Sequence, residues 1–247
     1  MSHFGWVVHK VIEASDIVLE ILDARFIDET RNAEIEYKIK NTGKTLVHVI
    51  NKCDFVNKKD LESRKKDLEN CVFVSAKKHL GTTLLKQKIK MLAGKKRLKD
   101  AVIGVVGYPN VGKSSVINAL KGKGSARVSS EAGYTKGKQL LRISSSIMMI
   151  DSPGVIEKRK QNENELVLIG AKNPTTLKDP DLAVLKLIKN YPDVVEMHYG
   201  VKPKCNKEKN LEEIALKLNY KKKGGVVDIE RVSRKILKDW LDGKIER

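Results

Sequence analysis

The stretch GYPNVGKS at residues 107 to 114 constrains this chain more than any other, because its spacing of glycines, lysine and serine works only between a strand and a helix. Both flanks are present. The run VIGVV at 102 to 106 reads as a buried strand, and 113 to 121 carries Val116, Ile117 and Leu120 at helical spacing. Gly107 and Gly112 allow a tight backbone path, and the successive amides of Asn110, Val111, Gly112, Lys113, Ser114 and Ser115, with the helix N-terminus, suit phosphate oxygens. Lys113 brings a positive charge to the β- and γ-phosphates, and the Ser114 hydroxyl suits Mg²⁺. The alternative is a chance Gly-rich turn, against which the strand and helix flanks weigh.

Other short Val- and Ile-rich runs predict further buried parallel strands: IVLEIL at 17 to 22, LVHVI at 46 to 50, VFV at 72 to 74 and IMMI at 147 to 150. QLLRI at 139 to 143 reads as a strand hairpinned to the last through the serines at 144 to 146. Between them, TTLLKQKIKML at 82 to 92 sets Leu84, Leu85, Ile89 and Leu92 near one helical face. Strands alternating with helices predict an α/β fold with a doubly wound, mostly parallel sheet over residues 1–157. From 158 to 247 no convincing strand follows, and helical patterns separated by Pro, Gly and Lys clusters predict a small helical C-terminal domain. Its last helix, 228 to 243, opens on Asp228 as N-cap, lines Ile229, Val232, Ile236 and Trp240 along one face and stops at Gly243. Arg231, Arg234, Lys235 and Lys238 are left outside, suited equally to a solvated face or to RNA phosphates.

The 247 residues suffice for one large or two modest domains. With 49 Lys and Arg against 31 Asp and Glu, the net charge of +18 makes nucleic acid the leading partner, the alternative being a solvated Lys-rich surface. Cys53, Cys71 and Cys205 are scattered, odd in number and free of CxxC spacing, which argues against a disulfide frame or a zinc site. The N-terminal stretch is broken by charge too early for a secretory signal, and no apolar run approaches the ~18 residues of a membrane span. A cytoplasmic monomer without membrane attachment is expected.

Two switch candidates follow the phosphate loop. IDSPG at 150 to 154 lets Asp151 reach Mg²⁺ through water and the Gly154 amide meet the γ-phosphate, although the same residues make an ordinary turn. In EAGYTKG, Thr135 suits the threonine that caps Mg²⁺ when a γ-phosphate is present. The base reader lies upstream. LVHVINKCD ends a strand with Asn51, Lys52 and Asp54, and an Asp carboxylate accepts from guanine N1 and N2 but repels the N1 lone pair of adenine. Lys52 can lay its stem over the base, and Asn51 can tie this loop to the phosphate loop. VFVSAK ends the next strand with Ser75, Ala76 and Lys77, setting the Ala76 amide near guanine O6.

The order of motifs is base, base, phosphate, switch, switch, whereas in Ras-like GTPases the phosphate loop comes first and the base-reading loops last. A circularly permuted P-loop G domain allows it, because chain ends of compact domains lie close enough for LAGKKRLKDA at 92 to 101 to join them. In that order, in SDIVLEILDARFIDETRN at 15 to 32 and in its C-terminal end, the sequence resembles the circularly permuted ribosome-assembly GTPases of the YlqF/YawG family. It departs from the family pattern in FIDET, where a proline is common, and in AGYTKG, where PGTTKG is common. The resemblance implies a GTP-binding and GTP-hydrolysing switch that uses Mg²⁺ and acts on ribosomal RNA or a ribosomal subunit. It also implies that Asn110 binds an activating K⁺, and Lys113, Thr135 and Gly154 are the candidate catalytic residues. Val155 stands where Ras-like enzymes carry a water-orienting Gln, so slow intrinsic turnover is expected. The competing readings are a GTP-gated RNA-binding module whose hydrolysis is incidental and an ATPase, the latter opposed by Asp54.

Overall fold

The computed structural model describes residues 3–68, 70–121, 140–144, 147–150 and 162–246. They fall into two units, Met1–Glu157 and Lys158–Arg247.

In the first unit, α1 (His3–Glu13) leads into β1 (Ile17–Asp23), α2 (Ile27–Thr30), α3 (Ala33–Asn41), β2 (Thr45–Asn51), α4 (Lys58–Arg64) and β3 (Val72–Phe73). Then come α5 (Thr82–Lys95), β4 (Ala101–Val106), α6 (Lys113–Leu120), β5 (Leu140–Ser144) and β6 (Ile147–Ile150). The strands form one six-stranded sheet in the order β3-β2-β1-β4-β6-β5. All are parallel except β5, which runs antiparallel to β6 as the serine-linked hairpin requires. All seven residues of β1 are buried, as expected of a central parallel strand covered on both faces.

Register decides where the site forms. Asp23 is paired with Asn51 at the ends of β1 and β2, and β4 runs alongside β1 with Ile17 opposite Ile103. The loops after three parallel strands therefore leave the sheet at one edge, where α/β folds bind ligands.

Helices close the faces by burying apolar stripes. Val8, Val11 and Ile12 of α1 pack with Ile35 and Ile39 of α3 against Val18, Val106 and Ile150. Asn32 caps α3 by accepting from the Glu34 and Ile35 amides at 3.0 and 3.1 Å. On α5, Leu85, Ile89 and Leu92 are buried while Leu84 is 63% exposed. Leu84 thus leaves the stripe expected of it: spacings of four and three keep the other three residues together, whereas Leu84 lies a third of a turn away.

The second unit contains α7 (Glu163–Leu168), α8 (Pro180–Asn190), α9 (Val194–His198), α10 (Lys207–Lys217) and α11 (Ile229–Leu241), with no strand among its described residues. Asp228 accepts from the Arg231 amide at 3.1 Å, and Gly243 takes φ +73° just beyond the end of α11. Val232, Ile236, Leu237 and Trp240 are buried. The Trp240 indole donates to the Leu168 carbonyl at 2.9 Å and its ring lies 5.0 Å from that of Tyr191. Arg234 is not left outside: it donates to the carbonyls of Pro174 and Leu177 at 2.8 and 3.1 Å, which commits it to holding the segment before α8. Lys235 is paired with Asp239, and Arg231 lies over the Tyr220 ring. Among the described residues no helix is long and apolar enough to cross a membrane.

Candidate nucleotide-binding site

Parallel pairing brings two distant loops together, and Asn51 joins them. Its Nδ2 donates to the Val111 carbonyl at 2.9 Å, and its Oδ1 accepts from the Ala76 amide at 3.1 Å. One buried side chain thus holds the loop after β2, the loop after β3 and the phosphate loop. The Ala76 amide, expected from sequence to face guanine O6, is engaged inside the protein here, because a buried N–H needs an acceptor and Asn51 supplies it.

The same contact explains Gly112. Its φ is +99°, and a Cβ there would lie 2.2 Å from Asn51 Nδ2, so any side chain would break the join. At Gly107 a Cβ would come within 2.5 Å of the Ile21 carbonyl oxygen, which lets the loop run tightly over the end of β1.

Lys52 has a left-handed backbone, φ +60°, turning the chain out of β2. Its ammonium donates to Asp23 Oδ2 at 2.7 Å and to the Asn110 carbonyl at 2.8 Å. Asp54 follows, with Lys78 Nζ 3.4 Å from its carboxylate. Burial pushes its carboxyl up, but the hydrogen bond from Ser75 and the nearby Lys78 outweigh that and hold it below the usual range. It therefore stands as an ionised acceptor. Ser75 is buried and Lys77 exposed.

At the phosphate end, Lys113 is buried, and its ammonium donates to the carbonyls of Gly107 and Tyr108 at 3.0 and 2.6 Å. Ser114 and Ser115 are exposed on the first turn of α6, and Asn110 is exposed with φ +59°. Thr135, Asp151 and Gly154 lie outside the described residues, as does Val155; β6 ends at Ile150.

Asp23 and Arg25 were not singled out as site residues from sequence. Asp23 is wholly buried, and Arg25 grips it through Nε at 3.0 Å and Nη2 at 2.9 Å. The available signal is the segment Asp23-Ala24-Arg25 within SDIVLEILDARFIDETRN, which resembles the family's DAR segment and whose acid closes a strand beside the one that ends in Asn51.

Two family models match. One, described as RsgA GTPase, covers residues 30–159, over half of the chain; the other, 50S ribosome-binding GTPase, covers 102–223. The fold is that of the GNP-bound YlqF crystal structure from T. maritima, with a TM-score of 0.70 at 23% identity over 97% of this chain and 94% of that one. The chain belongs to the circularly permuted GTPases of the YlqF/YawG family. Within this family it is 43% identical over 97% of its length to an uncharacterized GTP-binding protein of Methanocaldococcus jannaschii, covering 65% of that protein. It is 32% identical to the nuclear GTP-binding protein NUG1 of Saccharomyces cerevisiae over 96% of its length, and covers 54% of it. Nuclear/nucleolar GTPase 2 of Oryza sativa subsp. japonica is likewise 32% identical, with 96% of this chain and 46% of that one covered. This permuted GTPase chain therefore spans about half to two-thirds of the length of these relatives.

Proposed function

We propose that the chain binds and hydrolyses GTP as a molecular switch in ribosome assembly, acting through ribosomal RNA or a pre-ribosomal particle. The observation that supports this reading best is the pair of Asn51 bonds, which put the base-reading and phosphate-binding loops on one side chain. In this reading Asp54 accepts from guanine N1 and N2, Lys52 flanks the base and Lys113 carries positive charge to the β- and γ-phosphates. The exposed Ser114 hydroxyl, beside a buried ammonium at a helix N-terminus, is a hard oxygen donor suited to Mg²⁺. Thr135 and Asp151 would complete the donor set; the cation, when bound, neutralises phosphate charge. Thr135 and Gly154 sense the γ-phosphate, and Val155 offers no group to orient water.

Asn110 is the proposed K⁺ contact, and the net charge of +18 suits an RNA partner. The reading is tested by GTP turnover in KCl and in NaCl, each with and without isolated ribosomal subunits, and by filter binding to the subunits in GDP and GTP states over a salt series. Faster turnover in KCl and stimulation by one subunit are expected. Equal rates in the two salts remove Asn110 from its role. Turnover untouched by either subunit favours the RNA-binding module whose hydrolysis is incidental.

A further inference from the structure

The buried carboxylate of Asp23 has no part in the roles assigned so far, yet it is among the most heavily bonded side chains at the edge of the sheet. Oδ1 accepts from the Arg25 amide at 3.1 Å and from Arg25 Nε at 3.0 Å, and Oδ2 accepts from Arg25 Nη2 at 2.9 Å and from Lys52 Nζ at 2.7 Å. The side chains of Asp23 and Arg25 are 0% and 8% exposed, so this fork is shielded from water, where a bidentate pair is stiff. Arg25 in turn lies over the rings of Phe26 and Phe55, at 5.2 and 5.0 Å, so the fork is itself braced from the far side.

What this rigid carboxylate holds is mobile by nature. A lysine has a long flexible stem, and the Lys52 side chain keeps 25% of its surface exposed. Pinned at its tip by Asp23 and by the Asn110 carbonyl, that stem is drawn from the base-reading loop across to the phosphate loop. We infer that Asp23, clamped by Arg25, is a positioning residue for nucleotide recognition: it fixes the Lys52 ammonium against Asn110 and thereby sets both the wall beside the base and the coupling of the two loops. The inference rests on the nucleotide site proposed above and adds to it a residue outside both motifs. Asp23 touches no nucleotide in this scheme and acts through Lys52.

The test is a double-mutant cycle on GDP affinity with Asp23→Asn and Lys52→Met. Asp23→Asn keeps an acceptor but removes the charge, and Lys52→Met keeps the apolar stem but removes the ammonium. Each is expected to weaken GDP about tenfold to a hundredfold, the worth of one charge-assisted hydrogen bond. If Asp23 works through Lys52, the double variant binds GDP no more weakly than Lys52→Met alone. Losses that multiply, or an Asp23→Asn protein that binds like wild type, overturn the inference. Should Asp23→Asn not fold, Arg25→Gln replaces it, since releasing the clamp must again be non-additive with Lys52→Met. Wild-type protein is measured first against GDP and ADP. Failure to prefer GDP removes the proposed site and the inference with it, whereas clear preference with an additive cycle removes the inference alone.

Discussion

Glu20 and Asp23 lie on the same strand, both closed off from water, and their carboxyls go opposite ways. Burial pushes Glu20 up to about 8, and the neighbouring Glu36 carboxylate adds to the push. Burial pushes Asp23 the same way, but the bonds from Arg25 and Lys52 overcome it and leave the group below its ordinary value. The partners explain the split. Glu20 accepts one main-chain bond, from Asn32 at 3.0 Å, and its other oxygen lies 3.4 Å from His48 on β2 with no hydrogen bond among the described residues. Glu36, close by, is already held by Arg31 through two bonds of 2.8 Å. Mid-strand, then, the sheet holds a neutral acid, and at the strand end, where loops must be gathered, it spends its cations to keep a charge. Burial sets the cost of a carboxylate, and the count of donors decides its sign.

Asp54 belongs with Asp23 on the charged side of that division, and changing it gives the largest expected effect. Asp54→Asn removes the charge that accepts from guanine N1 and N2, so GDP affinity is expected to fall about a hundredfold or more. Xanthosine diphosphate, whose ring offers an acceptor where guanine offers a donor, should gain relative to GDP. Competition of the two nucleotides for one site measures the ratio; an unchanged ratio would put Asp54 with Glu20, as a buried acid with no ligand to read.

Legibility follows the same line. The parallel strands could be read because a run such as IVLEIL has no other stable place than a covered sheet, and the phosphate loop because few residues beside Gly112 tolerate its backbone. Leu84 was misplaced because a helical stripe read without its neighbours is a third of a turn too wide. Arg234 looked solvated because its acceptors are carbonyls far away in the chain, which leave no mark in composition. The join between Lys52 and Asp23 was hidden for a related reason: it depends on the register that sets Asp23 beside Asn51, and no local pattern encodes register between strands. The acid cluster of Glu20, Glu36 and His48, whose ligand-type atoms lie within 4.8 Å of one another, was hidden likewise, being drawn from two strands and a helix.

The neutral member can be tested by its pH dependence. With its carboxyl raised from 4.5 to about 8, Glu20 holds a proton in the folded chain that it loses in the unfolded one. Stability should therefore fall as pH rises through that window, by about 2–3 kcal/mol between pH 5 and pH 7. Glu20→Gln keeps an acceptor for the Asn32 amide and cannot ionise, so the decline should vanish in urea unfolding at pH 5, 6, 7 and 8. Asp23 runs the other way: its depressed carboxyl contributes stability above its ordinary range that is lost as pH falls, and Asp23→Asn should remove that acid-side loss. If the Gln variant keeps the wild-type slope, Glu20 is charged and the two carboxylates are not opposites.

The smallest effect separates the cations. Arg25 is 8% exposed and grips Asp23 with a fork, whereas the Lys78 side chain is 60% exposed and approaches Asp54 only to 3.4 Å. An exposed single-point pair is worth less than about 1 kcal/mol and is screened by salt. Lys78→Ala should therefore weaken GDP by less than about fivefold near physiological salt, with the difference closing as salt is raised. Because Lys78 helps to hold the Asp54 carboxyl down, its loss lets that carboxyl rise, so GDP binding should fail at a slightly higher pH as the solution is acidified. A loss that persists in high salt would mean that Lys78 holds Asp54 as Arg25 holds Asp23, and that exposure does not divide cations that position a carboxylate from those that only accompany it.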